Sequence, residues 1–151
     1  MKTLVTTVLF VLIAFHVYSQ NALVVSQDNT GDYKSIQKAI DKAKRGATIL
    51  VKKGTYIENI VMRDDIILQG EDNPTIDGNG QGIVVKLGNN CTVSNFIITN
   101  SGSEGGVNDC GIMAEGIENS VISNNIIAKN GHYGVIITKI SEQIFPCKTA
   151  L

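Results

Sequence analysis

The sequence predicts an all-β solenoid, a parallel β-helix of about four coils behind a capping helix, on three observations. First, the chain repeats itself. "GIVVKLGNNCTVSNFIITNS" (82–101) aligns without a gap on "GIMAEGIENSVISNNIIAKN" (111–130), and seven of the twenty positions are identical. Second, the apolar runs are short, β-branched and fenced by Gly, Asn and Asp, which favours strands over helices. Third, "ENSVISNNIIAKN" (118–130) sets four asparagines among four isoleucines and valines. Asparagine is a poor strand residue but tolerates the left-handed backbone of a sharp corner. A coil of three short strands and three corners satisfies all three, with isoleucines stacked inside and asparagines at the edges. Asn95 over Asn124 is expected to form an amide ladder between coils.

The elements follow in order. Residues 1–19 begin with Lys2 and continue as an apolar run to Tyr18, with small Val17 and Ser19 before a polar sequence at Gln20. About fifteen apolar residues fall short of a membrane span of about 20, so this segment reads as a cleaved secretory signal. A secreted, periplasmic or cell-surface protein is expected, with no membrane association after cleavage. Removal leaves 132 residues and takes the formal charge from −1 to −2. No basic stripe remains, which argues against nucleic acid as a partner.

Residues 20–47 hold an amino-terminal strand and the capping helix "SIQKAIDKAKRG". Ser35 suits the N-cap, Ile36, Ala39, Ile40 and Ala43 share one face, and Gly46 suits the C′ position. The helix is expected to plug the amino-terminal mouth of the solenoid. The coils occupy 48–138, starting at "TILV" (48–51) and turning at Gly54. Apolar pairs at Ile60, Ile83, Ile112 and Val135 give spacings of 23, 29 and 23, with the excess absorbed by the loop "SGSEGGVND". The tail 139–151, "KISEQIFPCKTAL", leaves the repeat, as a truncated reading frame or the early part of a longer β-helix would. An open carboxy-terminal sheet end invites self-association.

Three cysteines, Cys91, Cys110 and Cys147, permit one disulfide and force at least one thiol to pair otherwise or stay free; Cys91–Cys110 is one option. No metal-ligand spacing is visible. "NCT" (90–92) matches a glycosylation acceptor, but its aligned counterpart "NSV" does not, so Asn90 reads as a corner.

The stretch "VVSQDNTGDYKSIQKAIDKAKRGATILVKKGTYIENI" (24–60) resembles the opening of pectinesterases and related pectin-lyase-like right-handed parallel β-helix proteins. Residues 82–138 are similar to degenerate parallel β-helix repeats of the same superfamily, periplasmic NosD-like proteins included. The resemblance implies a right-handed coil, a secreted carbohydrate-active lineage and an acidic polysaccharide as partner. It leaves the reaction open, because many chemistries share the scaffold.

Of the pectinesterase motifs only "GTYIE" stands here, with Gly54 at a turn, Tyr56 packed and Glu58 a candidate substrate contact. "TIDGNGQG" (75–82) and "NGHYG" (130–134) echo polygalacturonases, yet Asp64-Asp65 lie coils away from His132, and hydrolysis needs two positioned carboxyls. Eliminative cleavage would need a neutralised uronate, by Ca²⁺ on carboxylates such as Glu104, Asp109 and Glu115, and a base such as Lys86 or Lys129. Without that chemistry no cofactor is implied. Two functions follow: a carbohydrate-active β-helix (lyase, esterase or hydrolase type) lacking complete catalytic machinery, or a non-catalytic module for polysaccharide binding, surface attachment or periplasmic accessory work.

Overall fold

The structure is a computed structural model describing residues 22–103 and 109–138. Residues 1–19, expected from the sequence to be a secretory signal, Glu104 and the tail with Cys147 lie outside the described residues. Among the described residues stand thirteen strands and one helix: β1 (Ala22–Val25), α1 (Ile36–Lys42), β2 (Thr48–Val51), β3 (Thr55–Ile57), β4 (Ile60–Val61), β5 (Ile67–Gly70), β6 (Thr75–Asp77), β7 (Val85–Lys86), β8 (Thr92–Ser94), β9 (Ile97–Thr99), β10 (Cys110–Glu115), β11 (Val121–Ser123), β12 (Ile126–Ile127) and β13 (Tyr133–Thr138). They form three sheets, ordered β1-β2-β5-β8-β11, β3-β6-β9-β12 and β4-β7-β10-β13. Every pairing between these strands is parallel. The chain visits the sheets in rotation, which defines a three-sided parallel β-helix. We call the sheets A, B and C in that order.

The interior is a single aliphatic shaft. Ile49, Leu68 and Val93 stack on sheet A, Ile76 and Ile98 on sheet B, and Ile60, Val85 and Ile112 on sheet C, each at most 1% exposed. Burying one such side chain stabilises the fold by about 1.5–3 kcal/mol. Tyr56 reaches the shaft from β3 and donates its hydroxyl to the Lys52 carbonyl at 2.9 Å. Burial, with the charges of Asp28 and Glu58, raises its phenol pKa above the ordinary value.

The corners carry the asparagine signal. Two residues before β2, β5, β8 and β11 stand Gly46, Asp65, Asn90 and Asn119, with φ of 80°, 61°, 54° and 56°. The second corner has Asn95 and Asn124 (63°, 54°), and the third has Asn100 and Lys129 (62°, 56°). Left-handed backbone costs ordinary L-residues roughly 1–2 kcal/mol, which explains the residue choice. Gly46 therefore belongs to the corner column and does not terminate α1, which ends at Lys42 with Ala43 as its C-cap.

The staples between rungs differ from an Asn95–Asn124 ladder. The neighbouring Asn125 does the bridging: its Oδ1 accepts from Phe96 N–H at 2.9 Å, and its Nδ2 donates to the Val93 carbonyl at 2.9 Å. Asn130 repeats the device against Ser101 N–H and the Ile98 carbonyl. The side chain thus satisfies backbone groups that the turn of the lower rung leaves unpaired.

Register also departs from the gapless repeat. Sheets A and B pair Thr92 with Val121 and Ile97 with Ile126, an offset of 29, whereas sheet C pairs Val85, not Ile83, with Ile112, an offset of 27. From Lys86 to Thr92 the chain advances 92 − 86 = 6 residues, and from their partners Met113 to Val121 it advances 121 − 113 = 8, so the upper coil is two residues longer here. Ile60 likewise pairs with Val85.

Cys91 and Cys110 are both free thiols and both buried, so the Cys91–Cys110 disulfide is not formed. The Cys91 thiol donates to the Arg63 carbonyl at 3.0 Å, and burial pushes the Cys110 thiol above its ordinary pKa. Both are expected to resist alkylation in native protein and to react at the rate of unfolding, read site by site by peptide mapping. Rapid native labelling of either would contradict this packing.

Candidate functional site

The amino-terminal end is built around α1, which packs on β1, β2 and β4. Ser35 is its N-cap, accepting from Lys38 N–H at 3.3 Å. Glu58, in the bend between β3 and β4, takes the other donors. Its Oε1 accepts from Ile36 N–H at 3.0 Å, and its Oε2 from Gln37 N–H at 3.0 Å and Ser35 Oγ at 2.9 Å. A carboxylate there also meets the positive end of the helix dipole. At the other end the Arg63 guanidinium donates to the carbonyls of Asp41 (3.1 Å) and Ala43 (3.2 Å). Gln37 completes the seal: its side chain accepts from Val61 N–H at 2.8 Å and donates to the Val61 carbonyl at 3.2 Å, imitating a strand on the β4 edge.

An open hollow of about 480 Å³ is lined by Arg45, Arg63, Asp64, Asp65 and Ile66. Its charges hold the corner together. Arg45 Nε meets Asp65 Oδ2 at 2.6 Å, and Asp64 Oδ1 accepts from Asn89 N–H at 2.7 Å. Asp65 Oδ1 accepts from Asn90 Nδ2 at 3.2 Å. Asp28 is held by the Ser26 hydroxyl and Thr30, which lower its carboxyl pKa to about 2 and close the 26–30 turn.

Sheet C gathers three of the sequence-predicted residues. Lys86 on β7 and Glu115 on β10 face outward on adjacent rungs with Nζ and Oε2 3.6 Å apart, each side chain a little under half exposed. Asp109 precedes β10, is buried, and its carbonyl accepts from Tyr133 N–H at 3.4 Å. Val61, half-exposed, and buried Met113 continue the register column through Lys86. Lys129 sits apart, at the corner between β12 and β13. Gly54 accepts from Thr75 N–H at 2.8 Å through its carbonyl. The structure therefore joins Lys86 with Glu115, and places Glu58 and Lys129 elsewhere.

Sequence reasoning missed Gln37, Arg63, Asn89 and Asn125. Their partners lie about a rung away, backbone groups for Gln37, Arg63 and Asn125 and the Asp64 carboxylate and Glu118 N–H for Asn89, and no local pattern encodes them.

The fold and its stapled corners define a pectin-lyase-like parallel β-helix. Residues 13–145 match the family described as "Periplasmic copper-binding protein (NosD)", and the chain belongs to that family. It is also similar to Pectinesterase 1 of Solanum lycopersicum, 49% identical over 41 residues, covering 24% of this chain and 8% of that enzyme. The match thus spans a small part of the pectinesterase's length.

Proposed function

We propose that this protein is a non-catalytic secreted or periplasmic β-helix module that holds acidic polysaccharide along the outer face of sheet C. The observation that carries the reading is the Lys86–Glu115 pair. An ion pair this exposed is worth about 0–1 kcal/mol, so a uronate carboxylate can displace Glu115 from Lys86 at little cost. Parallel strands stacked at about 4.8 Å present a flat, extended track suited to a linear polymer. A non-catalytic role is supported by the carboxylates of Glu58, Asp64 and Asp65, which are engaged in capping and corner bonds rather than paired across a groove.

The family's description names copper, which needs several donors converging on one point. Among the described residues no three His, Cys, Asp or Glu side chains gather as a metal site. The soft donors Cys91 and Cys110 are enclosed in the protein, and the raised pKa of Cys110 opposes the thiolate form that copper prefers. These residues do not fit a copper centre. Ca²⁺ belongs to the eliminative alternative, but Asp109 and Glu115 stand at opposite ends of the extended strand β10, about 20 Å apart, and do not form one shared site.

The test is affinity electrophoresis of the mature protein in polygalacturonate, alginate and methyl-esterified pectin, with and without Ca²⁺. Lys86→Ala is expected to weaken retention about 5-fold or more, Lys86→Arg to keep it, and Glu115→Gln to strengthen it. Unsaturated product, new reducing ends or released methanol would replace this reading with an enzymatic one. Wild-type protein that none of the three polymers retards would remove it.

A further inference from the structure

Charge is unevenly placed along this molecule. Residues 34–45, α1 and its flanks, carry five cations, Lys34, Lys38, Lys42, Lys44 and Arg45, against the single carboxylate of Asp41. The other described residues carry five cations and eleven carboxylates. The fold explains where the first five go. Ile36, Ala39, Ile40 and Ala43 turn one face of α1 into the shaft, each at most 4% exposed, and the opposite face carries Lys38 and Lys42 one turn apart. All five cations are exposed.

The carboxylates nearby are committed to the fold. Asp41 accepts from Gln37 Nε2 at 2.9 Å, Asp65 pairs with Arg45, and Glu58 faces the start of α1. Asp28 and Asp32 serve the turn that leads into the helix, the first through Ser26 and Thr30 and the second through Val24 N–H. Among the described residues the ion pairs use Arg45, Lys52 and Lys86, so Lys34, Lys38, Lys42 and Lys44 have no acidic partner there.

We infer that this capped end is a docking surface for an anionic lipid membrane, with the outward lysines of α1 against the headgroups and the solenoid standing away from the bilayer. Shape and screening select a membrane over a dissolved polyanion. A polymer free to wrap meets the eleven carboxylates on the sides as well as the cations of the cap, whereas a plane meets the cap alone. The five strands of sheet A carry its outermost rung about 19 Å from β1. The Debye length at physiological salt is about 8 Å, so the carboxylates of the upper rungs do not repel a surface held at the helix. Attachment is electrostatic. The apolar face of α1 is spent on the shaft, and no helix among the described residues is long and apolar enough to cross a membrane. Sheet C stays clear of the bilayer, so this surface acts independently of polymer binding there.

The experiment is co-sedimentation of the mature protein with vesicles of phosphatidylcholine, alone or with about 30% phosphatidylglycerol, at about 50 mM and about 500 mM salt. Binding is expected to the anionic vesicles only, and to be lost at the higher salt. Lys38→Gln and Lys42→Gln are each expected to weaken it about 5-fold, and the pair about 25-fold, with circular dichroism confirming the fold. Lys129→Asn removes the same charge from an exposed corner far from α1 and keeps a residue suited to its φ of 56°, so binding should stay within about 2-fold of wild type. The paired variant should keep wild-type retention in polygalacturonate. Absence of binding to the anionic vesicles, equal weakening by Lys129→Asn, or salt-resistant binding to phosphatidylcholine alone would each overturn the inference. A paired variant that kept vesicle binding but lost polygalacturonate retention would overturn it too, and assign the lysine face to the polymer.

Discussion

Replacing Gly70 with alanine is expected to destabilise the protein by about 3–5 kcal/mol, as a fall in the urea midpoint or as loss of soluble protein. Gly70 ends β5 and lies directly below Asn95, whose left-handed backbone turns the rung above. A Cβ at 70 would stand 2.2 Å from the Asn95 carbonyl oxygen and 2.7 Å from Pro74 Cδ. Neither obstacle is a flexible side chain. The corner must rise, and with it the pairing of Gln69 with Ser94 and the Asn95 N–H bond to the Ser123 carbonyl. Gly46→Ala is the control. Its φ is +80° but nothing lies within 4 Å of its Cβ, so it should cost only the left-handed penalty, about 1–2 kcal/mol. Equal losses at the two positions would mean that backbone conformation alone, and not rung spacing, limits these glycines.

Much of this architecture is legible because a solenoid turns long-range contacts into a local pattern. Each strand meets its counterpart from the previous coil, so aliphatic runs and corner asparagines recur in sequence as they stack in space. The pattern fails where coil length changes. Gly82-Ile83 matches Gly111-Ile112 letter for letter, yet two extra residues between Met113 and Val121 shift the register of sheet C and pair Ile112 with Val85. Nor can it choose between neighbouring asparagines. Asn124 supplies backbone conformation and Asn125 supplies hydrogen bonds, a division that depends on which side chain points at the lower rung. Site residues were hardest to read. Glu58 sits in a stretch resembling an enzyme, but its partners lie 21 to 23 residues earlier, on a helix. Charge alone does not tell a substrate contact from a cap.

That distinction makes Glu58 the second position where a large effect is expected. Glu58→Ala should destabilise the fold by about 2–3 kcal/mol, because three donors at the start of α1 lose a charged acceptor in a half-buried setting. Glu58→Gln keeps the shape and one good acceptor but loses the interaction with the helix dipole, and should cost about 1 kcal/mol. Polygalacturonate retention at a temperature where both variants stay folded should match wild type, since the carboxylate faces the helix rather than the outer face of sheet C. The paired readout separates the roles. Unchanged stability with lost retention would make Glu58 a ligand contact and move the binding face toward the amino-terminal end. Lost stability with retained binding would fix Glu58 as the latch that holds α1 over the shaft, and leave Lys86 as the side chain on which recognition turns.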